Sequence, residues 1–171
     1  MKRIAVLVMV GLLVFAADIF ALKSTPDFGI GAELTSTNFN TVGVMATIHI
    51  PGVPLFIGLG ANFVEGLSGG TEMTTTVDYW LLHNNIGTGY FSWYFGLGGY
   101  GVLGFNPTWT AFGVRVPIGL QIWPLNNEKL EVFLELAPAW VPLYGGAFDP
   151  GKFQAQVALG FRLWYDVAKA K

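Results

Sequence analysis

Eight stretches of this chain alternate between apolar and small or polar residues, and that period of two constrains the fold more than any other feature. The first sets Phe28, Ile30, Ala32 and Leu34 against Gly29, Gly31 and Glu33. The second sets Val42, Val44, Ala46, Ile48 and Ile50 against Thr41, Gly43, Met45, Thr47 and His49. Leu55, Ile57, Leu59, Ala61 and Phe63 then face away from Phe56, Gly58, Gly60 and Asn62. The fourth stretch opposes Thr75, Val77, Tyr79 and Leu81 to Thr76, Asp78, Trp80 and Leu82, with Leu82 apolar on the wrong face. Phe91, Trp93, Phe95 and Leu97 alternate with Ser92, Tyr94, Gly96 and Gly98. Val114, Val116, Ile118, Leu120 and Ile122 alternate with Arg115, Pro117, Gly119 and Gln121. Leu130, Val132, Leu134 and Leu136 oppose Glu131, Phe133 and Glu135. The last runs from Phe153 to Tyr165, with Gln154, Gln156, Ala158, Gly160, Arg162 and Trp164 on its other face.

The distribution of charge says which solvent the apolar face meets. Charged residues make up 12% of the chain, about half the usual share of a soluble domain. Those within the strands are Glu33, Asp78, Arg115, Glu131, Glu135 and Arg162, and all six fall on the polar face. A sheet exposed to water has no reason to keep charge off one face of every strand. A closed barrel crossing lipid does, because its outer face must be apolar and every backbone group must be paired. The expected fold is therefore all-β, a closed antiparallel eight-stranded up-and-down transmembrane β-barrel.

The leader "MKRIAVLVMVGLLVFAADIFALKS" agrees with export. Lys2 and Arg3 precede an apolar run from Ile4 to Ala17, and Ala21 or Ala16 offers the cleavage point. That run is 14 residues, short of the roughly 20 a spanning helix needs. Residues 1–21 are read as a signal peptide and residues 22–171 as a single barrel domain with a short periplasmic tail, "DVAKAK". The 171 residues less these 21 leave 150, carrying seven Lys or Arg against ten Asp or Glu, a net charge of −3. That balance argues against a nucleic-acid partner, which needs a basic surface. The absence of cysteine excludes a disulfide framework and a lipid-bearing cysteine.

Connections are expected to be short at one end, as in "PGVP" (51–54) and "PLNNEK" (124–129), with "HNNIGTG" (83–89) intermediate. Longer loops are expected at Thr35–Asn40, Val64–Thr74, Val102–Thr110 and Val141–Lys152. Tyr79, Trp93, Phe63, Phe153 and Tyr165 near the strand ends fit interfacial aromatic belts. Pro117 lacks an N–H and is expected to mark a bulge. Inside, Phe56, Trp80, Tyr94, Phe133 and Trp164 fill the space that eight strands enclose. Arg115 and Arg162 are expected to pair there with Glu33, Glu131 and Glu135, forming a structural charge network.

"FGLGGYGVLG", residues 95–104, carries Gly96, Gly98 and Gly101 at the spacing of a dinucleotide-binding turn. Such a turn needs a helix behind it to hold the pyrophosphate, and "VLGFNPTWTAFG" offers none. The glycines are read instead as the upper end of strand five. A bulge at Gly98–Gly99 is expected to turn Tyr100 and Val102 outward. His49 and His83 adjoin no serine in the alternation, and no Cys or His pair has metal-ligand spacing. No cofactor, metal or catalytic residue is assigned.

The last strand, "VALGFRLWY", resembles the C-terminal assembly signal of bacterial outer-membrane barrels through Gly160, Leu163 and Tyr165. "FGVRVPIGLQIW" (112–123) and "LEVFLELAPAW" (130–140) are similar to segments of small barrels from Gram-negative bacteria. The whole mature chain resembles the eight-stranded OmpX and OmpA type. That resemblance implies a location in the bacterial outer membrane, with membrane lipids and the barrel-assembly machinery as partners, and an extracellular ligand reached through the long loops. It implies no single activity, since the fold serves several. The leading expectation is a non-enzymatic structural or surface-interaction protein with a side-chain-filled lumen. The alternatives are a narrow channel or carrier of small hydrophobic molecules, a lipid-modifying enzyme, and a soluble periplasmic lipocalin-like barrel.

Overall fold

A computed structural model describes residues 27–64, 70–87, 90–105, 108–125 and 129–166. The leader with both candidate cleavage points, the Asn126–Glu128 turn and the tail after Asp166 lie outside the described residues. Every strand pairing is antiparallel, and the wall closes where the last strand meets the first, with Asp27 opposite Asp166.

In chain order the strands are β1 (Asp27–Thr37), β2 (Thr41–His49), β3 (Leu55–Val64), β4 (Thr71–Ile86) and β5 (Phe91–Phe105). They continue as β6 (Thr108–Arg115), β7 (Ile118–Ile122), β8 (Leu130–Tyr144), β9 (Ala147–Phe148) and β10 (Phe153–Asp166). β6 and β7 together occupy one place in the wall, each pairing with β5 and β8, and β9 is a short return on the end of β8. The wall is thus an eight-stranded closed barrel. Both barrel termini lie at one end, here the proximal end, together with the β2–β3, β4–β5 and β7–β8 connections.

Period-two patterning leaves one face of each strand buried and the other exposed, because successive side chains project to opposite sides of the pleat. Along β2 the pattern is unbroken: Thr41, Gly43, Met45, Thr47 and His49 point in, and Val42, Val44, Ala46 and Ile48 point out. The outward face is apolar around the circumference, with Leu34 58% exposed, Leu59 56% and Leu120 56%. A lipocalin-like barrel would hold its apolar face inside, and this arrangement is the reverse. Tyr79, Phe91 and Tyr165 project outward near the proximal end, and Phe105, Phe112, Trp140 and Phe153 near the distal end.

Three expectations are corrected. The first is the bulge in β5. That strand keeps one phase from Phe91 to Phe105, so Tyr100 and Val102 point into the barrel and are 5% and 4% exposed. The register shift lies in the neighbouring strand, where Trp80 pairs with Gly96 and Leu82 with Phe95. Leu81 is the extra residue, and beyond it the faces exchange. That exchange puts Leu82 opposite the outward Phe95, which accounts for an apolar residue that broke the alternation.

The second concerns Pro117. Arg115 faces Gly98 and Ile118 faces Phe95, so equal lengths of chain separate them on both strands. No residue is inserted. Gly96 N–H donates to the Pro117 carbonyl at 2.8 Å, and the reciprocal bond is missing because proline has no N–H. The strand is interrupted without slipping. The irregularity of β6 lies instead between Phe112 and Val114, against Leu143 and Trp140 of β8.

The third is the contrast in loop length. At the distal end β1 and β2 are joined through Asn38–Asn40, and β5 and β6 through residues 106–107. Thr35–Thr37, Thr71–Thr74, Val102–Phe105 and Val141–Tyr144, all read as loop, are strand because backbone pairing continues along them. His83 likewise belongs to β4, which runs to Ile86, and not to the following turn.

Candidate functional site

The inward faces of the strands meet in a lumen crowded with polar and aromatic side chains. The inward glycines make this crowding possible. A Cβ on Gly119 would lie 2.1 Å from the Tyr94 ring, and one on Gly160 2.5 Å from the ring of Phe133. A Cβ on Gly98 would lie within 2 Å of Asp78 Oδ1. Each of these glycines is the register partner of a long side chain on the adjacent strand, which folds over it. This is the role of the glycines of residues 95–104 that face inward, and it requires no ligand.

Two arginines organise the interior. Arg115, the last residue of β6, sends Nε to Asp78 Oδ1 at 3.1 Å and Nη1 to Gln156 Oε1 at 2.7 Å, and its Nη2 contacts Glu135 Oε1. Glu135 Oε2 also accepts the Tyr94 hydroxyl at 2.6 Å. Arg162 of β10 donates to Glu131 Oε1 at 2.6 Å. The same carboxylate accepts Gln121 Nε2 at 2.8 Å and Trp164 Nε1 at 2.9 Å. Ser92 donates to Gln121 Oε1 at 2.8 Å and accepts Trp123 Nε1 at 3.0 Å, which carries the chain of bonds toward the proximal end. A buried charge is tolerable only when paired and hydrogen-bonded, and these two guanidiniums are both.

Aromatic rings fill what the ion pairs leave. Phe56, Trp80 and Tyr94 stack in sequence, with centroids 3.9 and 4.0 Å apart and planes within 20°. The Arg162 guanidinium lies 3.8 Å from the Phe133 ring centre and 4.8 Å from that of Phe56, close enough for cation–π attraction. His49 packs between Phe56 and Trp164, at 4.6 and 4.9 Å, and His83 lies 5.6 Å from Trp80. Toward the distal end Tyr100, Val102, Ala111, Ala139 and Val141 form a second cluster, covered by Trp109 and Tyr144.

Among the five charged residues assigned to the lumen from the sequence, Arg115 meets Glu135 and Arg162 meets Glu131. Glu33 is buried at 8% exposure and joins neither salt bridge, though it lines a cavity of about 20 Å³ together with Arg115 and Glu135. Asp78, Tyr94, Gln121 and Gln156 belong to the network and were not assigned to it. Their signal was available, since all four are polar residues in the inward phase. Gly160 faces the lumen, whereas Leu163 and Tyr165 face outward. Among the described residues no group of three His, Asp or Glu is placed to hold a metal ion.

No family model matches the chain, and no curated protein matches its sequence. Its fold does have solved counterparts. Neisserial surface protein A superposes with a TM-score of 0.51 and 8% identity, covering 81% of this chain and 96% of that one. The N-terminal β-barrel domain of Pseudomonas aeruginosa OprF gives 0.53 and 10%, covering 84% of this chain and all of that one. Both are small eight-stranded outer-membrane barrels, and this chain shares that fold.

Proposed function

We propose that the chain is an integral outer-membrane β-barrel whose lumen is closed by its own side chains, and that its role is structural or surface-interactive. The observation that carries this reading is the division of the wall. Six in-strand charges are buried inside while leucines more than half exposed line the outside. That is the reverse of a water-soluble protein and suits a hydrocarbon solvent. Residues 1–21 then serve as the export signal. Gly160, Leu163 and Tyr165 present the assembly signal to the barrel-assembly machinery, and membrane lipids cover the apolar face.

The packed lumen supports closure over conduction. A cavity of about 20 Å³ has room for one or two waters, and the Phe56–Trp80–Tyr94 stack lies across the interior. Catalysis has little support. The one proton of the Ser92 hydroxyl is committed to Gln121, so no imidazole shares it, and a serine nucleophile needs an adjacent base.

Refolding into detergent followed by insertion into planar bilayers tests both parts. The expected result is a β-rich, heat-modifiable band and a silent bilayer. Discrete conductance steps would instead establish the channel reading, and full solubility without detergent would overturn membrane insertion.

A further inference from the structure

A run of aromatic rings leads from the proximal mouth into the lumen. Trp123, half-buried just beyond β7, packs on the buried cluster of Phe56, Trp80, Tyr94 and Trp164. Ring centroids are 6.1 Å apart from Trp123 to Trp164 and 6.3 Å from Trp164 to Phe56. They are 3.9 Å apart from Phe56 to Trp80 and 4.0 Å from Trp80 to Tyr94. In a chain without cysteine, indole and phenol are the side chains that most readily give up a single electron.

The charges around the rings are graded along the run. Trp164 Nε1–H donates to Glu131 Oε2 at 2.9 Å, so the carboxylate stabilises positive charge on that indole. Trp80 lies 5.5 Å from the Arg162 guanidinium, which disfavours positive charge there and makes it a passing station. Tyr94 ends the run with no exposure at all, and its hydroxyl donates to Glu135 Oε2 at 2.6 Å. A phenol loses its electron readily only when a base takes the proton, and Glu135 stands at hydrogen-bond distance for that transfer. Packing requires the rings alone. The carboxylates at Trp164 and Tyr94 supply what charge movement requires.

We propose that these rings carry a single oxidising equivalent from the proximal mouth to Tyr94 and hold it there. A one-electron oxidant of the peroxyl-radical class takes an electron from Trp123 and leaves as the hydroperoxide anion. Trp164 then reduces Trp123, and Trp80 reduces Trp164 across the Phe56 ring, which bridges without being oxidised. Tyr94 reduces Trp80 and passes its phenolic proton to Glu135 Oε2. The products are a neutral tyrosyl radical and a neutral carboxylic acid, with every indole restored. Sealed inside the wall, that radical cannot couple with a second ring or meet an acyl chain.

The test uses the mature barrel refolded in detergent, with a ruthenium tris-bipyridyl sensitiser as the oxidant. Leu125→Cys gives the cysteine-free chain a single attachment point beside Trp123, at a half-exposed position. Tyr90 is exposed, and its carbonyl accepts the Trp123 N–H at 2.9 Å, so Tyr90→Phe is added throughout to remove a competing phenol. After flash oxidation, a tryptophanyl absorbance should give way to a long-lived tyrosyl radical seen by paramagnetic resonance, and deuterated water should slow that conversion. Tyr94→Phe should abolish the tyrosyl signal and prolong the tryptophanyl one severalfold. Trp123→Phe should lower the tyrosyl yield severalfold, and it serves alone should Tyr94→Phe fail to fold. The proposal is overturned if no tyrosyl radical forms, if Tyr94→Phe keeps it, or if Trp123→Phe leaves its yield unchanged. None of these readouts depends on a bilayer or on conductance, so failure here leaves the closed-barrel reading standing.

Discussion

Arg162 and Glu131 form a salt bridge at 2.6 Å inside the barrel, with side chains 3% and 0% exposed. They come from β10 and β8, adjacent in the wall and directly opposite in register. Neither has water as an alternative partner, so each is the main compensation for the other's desolvation. Trp164 and Gln121 satisfy the rest of the carboxylate.

Removing one member should therefore cost more than removing both. Glu131→Ala is expected to destabilise by about 3–5 kcal/mol, because it leaves an uncompensated buried guanidinium. The double variant Glu131→Leu with Arg162→Met should recover a large part of that loss. Urea unfolding in lipid vesicles measures both, and additive losses would show that the pair is not coupled.

Two adjacent glycines should respond in opposite ways. A Cβ at position 98 meets Asp78 Oδ1 and the Val77 carbonyl, whereas one at position 99 meets nothing within 4 Å. Gly98→Ala should cost about 1–3 kcal/mol through overpacking. Gly99→Ala should stay within about 0.5 kcal/mol of wild type, as an unobstructed surface change does. Equal effects at both positions would contradict the unbroken phase of β5.

The solvent of the outer face can be read from a single charge. Leu59 lies on β3 with its side chain 56% exposed. Leu59→Arg should cost about 2–4 kcal/mol in bilayers if the site lies near the midplane. A neutral outcome in vesicle unfolding would mean that water, not lipid, meets this face.

The assembly role of the last strand separates from its structural role at Tyr165. Its ring is outward and half exposed, and its aromatic neighbour among the described residues is Phe28, tilted at 6.5 Å between centroids. Tyr165→Ser should reduce the amount of barrel reaching the outer membrane of cells severalfold. Refolded in detergent, the same variant should keep its stability within about 1 kcal/mol. A large loss of stability in vitro would make Tyr165 a packing residue instead.

Much of the wall was legible from residue type alone, and the places where reading failed have physical causes. Leu82 violated the alternation because Leu81 is an inserted residue, and a single strand does not reveal which residue its partner skips. The glycine pair at 98–99 invited a bulge because glycine tolerates one, yet Gly98 serves to clear space for Asp78 and Gly99 faces open space. Thr35–Thr37 read as loop because Ser36 breaks the outward apolar rhythm, whereas Val102–Phe105 keep that rhythm in Leu103 and Phe105 and were obscured by the bulge expected at Gly98–Gly99. They are strand because backbone hydrogen bonds to β10 and β6 continue along them. Asp78 was visible as an inward charge, but its partner Arg115 lies in another strand, two places along the wall.

By itself the sequence determined the faces of the wall. The pleat sends successive side chains to opposite sides, so a period of two fixes what each residue confronts before any strand finds its neighbour. It determined the apolar exterior, the charged interior and the number of crossings for the same local reason. Only the tertiary structure decided which interior groups meet. Tyr94 reaches Glu135 and Arg115 reaches Gln156, each across 41 residues of chain, because closure of the barrel and the stagger of its strands bring those levels together. That same stagger leaves Glu33, an inward carboxylate like the others in sequence, outside both salt bridges although it shares a cavity with Arg115.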